Sequence, residues 1–160
     1  MGKRLIIIVF TLLLLPVFLS AEDTPQDLYK LSYNLYKNGN YGFAIEQFRK
    51  LISLYPNSQN ARDAAFMSAE CLYKQGEYEK AIPEYKGVLD RYNILEYRDT
   101  ILYRIGECSF RLKTYGPASE AFKNLLDKNP LTYLAADAWF WYAEANFNTA
   151  NYRDASSAYE

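Results

Sequence analysis

Three glutamates at a regular spacing are the side chains of this sequence best suited to chemistry. Glu70, Glu107 and Glu144 lie 37 residues apart. Paired carboxylates can act as general acid and general base. If the spacing reflects stacked helices, however, neighbouring carboxylates lie about 10 Å apart at the backbone, and no motif encloses them in a pocket. The row is therefore better suited to holding basic side chains than to catalysis.

The composition excludes several other kinds of chemistry. The chain of 160 residues contains no histidine, which removes histidine-based acid–base catalysis, Ser-His-Asp and Cys-His nucleophiles, and histidine-ligated metals. Its net charge of −1 does not indicate the clustered basic surface that nucleic-acid binding requires. We therefore expect no enzymatic activity, no metal site, no cofactor and no nucleic-acid partner.

The two cysteines share the 37-residue spacing. Cys71 and Cys108 would occupy the same position in adjacent structural units. Equivalent points on stacked helices lie about 9–10 Å apart, whereas a disulfide needs Cα atoms within about 7 Å. We expect two buried free thiols, with a disulfide as the alternative that an oxidising compartment would allow.

Residues 1–21 have the three parts of a secretory signal peptide. Lys3 and Arg4 form the positive region, a largely apolar segment follows, and Ala21 offers a cleavage site. The apolar segment, residues 5–19, is shorter than the roughly 20 residues needed to span a bilayer. We expect cleavage and export to the periplasm, with an uncleaved membrane anchor as the alternative. The leader contains no cysteine, so lipid attachment through an N-terminal cysteine is not expected.

The rest of the chain repeats with a period of 37 residues, and internal repetition of this length is typical of stacked supersecondary units. Six columns of similar residues keep the same register. The columns are Tyr41, Tyr78, Tyr115 and Tyr152; Ala44, Ala81, Ala118 and Ala155; Phe48, Tyr85, Phe122 and Tyr159; Ser32, Ala69, Gly106 and Ala143; Tyr29, Phe66, Tyr103 and Phe140; and Tyr36, Tyr73, Phe110 and Phe147.

Each unit is predicted to contain two helices. In the second unit, Ala65, Ala69 and Leu72 lie at the spacing of one helix face, and Gly76 stands where a left-handed C-cap is needed. The column of small residues lets the two helices of a pair approach closely, and the large aromatic column opposite, such as Tyr85, fills the remaining space.

Local signals predict where helices begin and end. The segment 24–27, Thr-Pro-Gln-Asp, combines a capping hydroxyl, a proline at the first helical position and an acid three residues on. Gly39 should end that first helix. Pro56 and Pro130 should close the second helices of the first and third units, and Pro83 should bend the start of a second helix.

These columns resemble the tetratricopeptide repeat. Its consensus positions are occupied by Ala65, Ala69, Leu72, Gly76, Tyr78, Ala81 and Tyr85. The resemblance implies an all-α fold, a right-handed α-solenoid of antiparallel helix pairs. We expect one such domain over 22–160, with units at about 25–61, 62–98 and 99–135 and an incomplete unit at 136–160.

A narrower resemblance points to the bacterial envelope. The 37-residue period, the link at 55–58 and the aromatic segment 139–147 look similar to a periplasmic and outer-membrane subgroup of tetratricopeptide-repeat proteins. This subgroup includes the Tol-Pal-associated periplasmic protein and the lipoprotein of the outer-membrane β-barrel assembly machine. The leader departs from the lipoprotein pattern because it has no attachment cysteine.

In this family the first helices of successive units line a concave groove that takes ligands. Aromatic walls with a line of carboxylates would suit an extended peptide with a basic side chain. The alternative is that these side chains pack between repeats, with the glutamates paired to Arg104, Arg111 or Lys74. Transferred residue by residue, the groove positions are Tyr29, Tyr33, Tyr36, Phe66, Glu70, Tyr73, Tyr103, Glu107, Phe110, Phe140, Glu144 and Phe147.

The expected function is therefore binding without catalysis. We expect an exported scaffold of the periplasm or cell envelope that holds a segment of a protein or peptide partner in its groove. Two alternatives remain open at this stage, a cell-wall glycan-binding module in contact with peptidoglycan and an accessory factor of outer-membrane assembly.

Overall fold

The computed structural model describes residues 23–92 and 95–159, and the signal-peptide prediction for 1–21 lies outside them. Within these ranges the chain is built from α-helices and contains no strand. The helices are α1 (Pro25–Lys37), α2 (Tyr41–Leu54), α3 (Gln59–Lys74), α4 (Tyr78–Tyr92), α5 (Leu95–Arg111), α6 (Tyr115–Lys128), α7 (Ala135–Asn148) and α8 (Tyr152–Tyr159).

The helix ends follow the predicted local signals. The Thr24 hydroxyl oxygen accepts a hydrogen bond from the Asp27 amide at 3.2 Å, and Pro25 is the first residue of α1. Helix α2 ends two residues before Pro56, and α6 ends two residues before Pro130. These caps satisfy backbone groups that a helix end leaves without partners. Helix α4 runs from Tyr78 to Tyr92 with Pro83 inside it.

The turn between the two helices of each pair has one backbone conformation throughout. Gly39 and Gly76 have a φ of +77°, and Lys113 and Ala150 have a φ of +60° at the equivalent positions. The left-handed C-cap predicted at Gly76 is therefore present in all four pairs, although only two of them use the residue that adopts it without steric cost.

The four pairs stack into a right-handed α-solenoid, as predicted. Each helix packs on the next, and first helices of neighbouring pairs also contact each other, α1 with α3 and α5 with α7. Because first helices of neighbouring pairs approach one another in this way in the described part of the chain, they form the inner side of the solenoid. We call the surface formed by α1, α3, α5 and α7 the inner face.

Small residues opposite large aromatic residues close each helix pair. Phe48, Tyr85 and Phe122 on second helices are completely buried. A Cβ atom added to Gly106 on α5 would lie 2.6 Å from the ring of Phe122 on α6, closer than packed atoms approach. The steric role predicted for the small column is thus confirmed at this pair.

The two cysteines are buried free thiols on α3 and α5, which confirms the expectation. Burial, and then the charge of the preceding glutamate, raises the pKa of Cys71 and of Cys108 to about 12. Because the thiolate is the reactive form, both thiols are chemically quiet at neutral pH.

Candidate interaction face

The twelve groove positions predicted from the sequence all lie on the inner face, but their exposure differs. Three side chains are exposed: Tyr33 at 40%, Phe140 at 49% and Phe147 at 57%. Glu70 and Tyr103 are buried. The other seven are half-buried, namely Tyr29, Tyr36, Phe66, Tyr73, Glu107, Phe110 and Glu144. Exposed aromatic surface is therefore concentrated on α1 and α7, at the two ends of the described solenoid.

An arginine that the sequence analysis had named only as a packing partner organises the middle of the inner face. Arg104 Nε donates to Glu70 Oε1 at 3.1 Å, and Arg104 Nη1 donates to Glu107 Oε2 at 2.6 Å. The Tyr85 hydroxyl also donates to Glu70. The Tyr73 hydroxyl donates to Glu107 Oε2 at 3.3 Å, and Arg104 Cζ lies 4.5 Å from the centre of the Tyr73 ring.

The electrostatics of this network keep its donors protonated. Burial alone would lower the pKa of Arg104, but the Glu70 and Glu107 carboxylates outweigh that effect and raise it. Burial, and then the charge of Glu70, raises the pKa of Tyr85 far above its usual range. Lys74 Nζ also lies 6.0 Å from the Tyr73 ring centre, so two cations accompany the two carboxylates. Glu70 Oε1 accepts from both Tyr85 and Arg104, and Glu107 is the carboxylate of the network nearer to solvent.

Aromatic residues of the inner face also close the turn of every pair. In each unit an aromatic near the end of the first helix contacts the aromatic that begins the second helix. The pairs are Tyr36–Tyr41, Tyr73–Tyr78, Phe110–Tyr115 and Phe147–Tyr152, with ring centres 5.6, 5.8, 5.1 and 5.5 Å apart. This contact explains why both columns are kept in the sequence.

Other inner-face aromatics join neighbouring units. Phe66 on α3 stacks on Tyr97 of α5 with ring centres 4.5 Å apart and nearly parallel planes, and the Tyr97 hydroxyl donates to Asp63 at 3.1 Å. Phe110 on α5 meets Trp141 of α7 at 4.9 Å. Sequence reasoning did not single out Tyr97 because it belongs to no column. Trp141 could have been noticed, since it stands 37 residues after Arg104.

The chemistry available here is contact and charge pairing. Among the described residues, no cluster of three histidine, cysteine, aspartate or glutamate side chains could hold a metal ion. The carboxylates at 70 and 107 are held by an arginine and by phenol groups, so they serve as hydrogen-bond acceptors. What the face offers a second molecule is exposed aromatic surface together with the half-buried Glu107 carboxylate.

Sequence profiles of two families match separate parts of the chain. An outer membrane lipoprotein family (YfiO) matches residues 21–94, and a tetratricopeptide-repeat family matches residues 115–160. No curated protein sequence matches the chain. Searching 23–92 and 95–159 for a helix long and apolar enough to cross a bilayer finds none.

Solved structures of low sequence identity share the fold. MamA from Desulfovibrio magneticus RS-1, from its residue 41 onward, has a TM-score of 0.70 at 20% identity, over 86% of this chain and 73% of that one. A tetratricopeptide repeat protein from Parabacteroides merdae ATCC 43184 gives 0.73 at 19%, over 84% and 50% of the two chains. The apo form of RapI gives 0.72 at 19%, over 84% and 40%.

The fold and the matches together define the class. The chain has the fold of tetratricopeptide-repeat proteins, as its residue columns predicted, and residues 115–160 match the tetratricopeptide-repeat family itself. Its fold is a scaffold consistent with protein–protein interaction.

Proposed function

We propose that this chain is a scaffold of the bacterial cell envelope that binds a segment of a partner protein along its inner face. The observation that carries the proposal is the distribution of exposed aromatic rings. Tyr33, Phe140 and Phe147 are exposed on the inner face, although most aromatics of their columns are packed. Exposed aromatic residues on one surface are typical of binding sites.

The central network makes this face rigid. Arg104 links α3 to α5 through Glu70 and holds Glu107 on its own helix. The partner segment therefore meets a surface that is ordered before binding, which lowers the entropic cost of association. The half-buried Glu107 carboxylate can accept a hydrogen bond from a basic side chain in the middle of that segment, since guanidinium and ammonium groups also interact with aromatic rings.

The envelope location is supported by two independent features. The leader at 1–21 has the parts of a secretory signal. The match to the outer membrane lipoprotein family covers 21–94, and it also favours a second candidate, an accessory role in outer-membrane assembly. Both cysteines lie in the repeats, so this chain lacks the leader cysteine of that lipoprotein pattern. A signal-sequence fusion reporter and envelope fractionation would test export.

The binding site is tested by removing the two most exposed aromatic rings among the predicted groove positions. The double variant Phe140→Ser/Phe147→Ser changes the inner face, and Phe43→Ser is the matched control because Phe43 is exposed at 66% on the second helix α2. Wild type and both variants are crosslinked in intact envelope and the captured proteins identified, after circular dichroism has shown that all are folded.

The proposal predicts that a defined envelope protein is captured by wild type and by Phe43→Ser but lost in the double variant. Equal capture by all three would remove the inner face as the site. Sedimentation of wild type with purified cell wall, in the absence of other proteins, would instead indicate the glycan-binding alternative.

A further inference from the structure

A cationic cavity of about 450 Å³ lies at one edge of the solenoid, away from the inner face. It is formed where α2 ends, α3 begins and α4 ends. The lining residues are Pro56, Asn57, Arg62, Arg91 and Tyr92. Because helices alternate in direction, every link from a second helix to the next first helix lies at this same edge, which we call the link edge.

Two arginines and no acidic side chain line this cavity. Arg62 lies in the first turn of α3 and is half-buried, and Arg91 lies in the last turn of α4 with its guanidinium 5.7 Å from the Tyr92 ring centre. Within the described part of the chain, neither arginine forms an ion pair with a carboxylate. Two like charges on a shared cavity repel each other unless an anion lies between them.

Tyr92, which lines the cavity, stands at a position where the neighbouring units have polar contacts. Its own hydroxyl group is buried without accessible surface and makes no hydrogen bond to any described residue.

The equivalent positions in the neighbouring units have partners. Tyr55, 37 residues earlier, donates to the Asp23 carbonyl at 2.9 Å. Asn129, 37 residues later, donates from its side chain to Asp99 Oδ2 at 2.6 Å. Asp99 itself stands 37 residues after Arg62. The second unit therefore has an arginine where the third unit has the acceptor, and no described residue of the second unit supplies one.

We infer that this cavity binds a phosphate group. Guanidinium groups match phosphate oxygens in geometry and bind them with charge-assisted hydrogen bonds. Arg62 and Arg91 supply these donors. The first turn of α3, whose amide groups and positive dipole end favour anions, forms one side of the cavity.

The phosphate has two possible sources, a free phosphate ion and the headgroup of an anionic lipid. The link edge fits a membrane surface because it carries the exposed side chains Leu54, Leu95, Leu131 and Tyr133. Apolar and tyrosine side chains beside arginines are typical of surfaces that rest in the lipid headgroup region. Asp23 lies at this same edge, where its carbonyl accepts from the Tyr55 hydroxyl and its carboxylate pairs with Lys50.

The test compares two charge-neutralised variants of the full chain. Arg91→Gln removes a cavity cation, and Lys128→Gln removes the equivalent exposed cation 37 residues later, which lines no cavity. Each is titrated with inorganic phosphate at constant ionic strength while the melting temperature is recorded. Each is also sedimented with vesicles of phosphatidylglycerol and phosphatidylethanolamine, and with phosphatidylcholine vesicles. The leader is common to all proteins, so differences between variants report the cavity.

We expect phosphate to raise the melting temperature of wild type and Lys128→Gln but not of Arg91→Gln. Loss of one charge-assisted contact should weaken phosphate binding by about tenfold or more. If anionic vesicles also bind Arg91→Gln less than Lys128→Gln, the phosphate comes from a lipid headgroup. If the two variants bind vesicles equally but differ in their response to inorganic phosphate, the ligand is the free phosphate ion. If neither ligand separates the two variants, the inference is wrong.

Discussion

The third unit (α5 and α6) contacts its two neighbouring units through equivalent positions that differ in chemistry. We call each of these two interfaces a seam. At the seam with the second unit, Arg104 lies over the Tyr73 ring and pairs with Glu70. At the seam with the fourth unit, Trp141 occupies the position of Arg104 and packs on Phe110, which occupies the position of Tyr73. The first seam is therefore an ion-pair network, which we call the polar seam. The second is a contact between rings, which we call the aromatic seam.

This difference shows what the repeat requires of a seam. Both seams place a large side chain against an aromatic ring of the preceding unit, so the common requirement of these two seams is a side chain of the right size. The charge is an additional feature of the polar seam, and its desolvation is compensated only while every partner is present. The aromatic seam, by contrast, loses stability in proportion to the area it gives up.

The largest effect should come from breaking the polar seam. Arg104→Met leaves the buried Glu70 without its counter-charge, and removing one partner of such a pair costs about 3–5 kcal/mol of unfolding free energy. Urea denaturation measures the loss. The double variant Glu70→Gln/Arg104→Met should be more stable than Arg104→Met, because glutamine is neutral and can still accept from Tyr85. A loss below about 1 kcal/mol in the single variant would show that the network contributes little.

Breaking the aromatic seam should cost somewhat less. Trp141→Ala removes the contact with Phe110, and because Trp141 is half-buried we expect about 2–3 kcal/mol, below the value for a fully buried ring. The same urea experiment applies, repeated in 0.5 M sodium chloride. Salt should leave the Trp141→Ala deficit unchanged. A deficit as salt-sensitive as that of Arg104→Met would mean that the seams are not chemically distinct.

Helix α5 belongs to both seams, so moving it tests them together. Gly106→Ala places a methyl group 2.6 Å from the Phe122 ring and forces α5 away from α6. Overpacking of this kind costs about 1–3 kcal/mol, and we expect a value near 2 by thermal unfolding. Gly87→Ala is the control, since a Cβ there has no neighbour within 4 Å. Equal stability of Gly106→Ala and its control would contradict the close approach of the two helices.

The smallest effects concern the left-handed turns on either side of the polar seam. Lys113→Gly relieves a non-glycine residue at φ +60° and should stabilise the protein by about 0.5–1 kcal/mol, because the steric relief exceeds the entropy that glycine adds to the unfolded chain. Gly76→Ala should destabilise it by about 1 kcal/mol. Melting temperatures of Lys113→Gly and Gly76→Ala that shift in opposite directions would support a steric cost at these turns. Shifts of the same sign would contradict it.

Much of the fold could be predicted from residue spacing. The 37-residue columns, the cap at Thr24, Gly76 and the prolines after α2 and α6 all act through neighbours in sequence, so their consequences are local. The same holds for Gly106, whose partner Phe122 lies 16 residues later in the same pair. The division of the inner face into exposed and engaged residues could not be predicted in this way.

What the sequence by itself determined is the class, an all-helical stack of similar helix pairs. Residues that recur every 37 positions in the chain occupy equivalent positions in successive pairs of the stack. The tertiary structure decided which members of a column remain available. Glu70 is neutralised by Arg104 of the next unit, and Arg62 and Arg91 share a cavity although 29 residues separate them. Both results depend on which side chain the neighbouring helix brings opposite, and a column of similar residues carries no information about that partner.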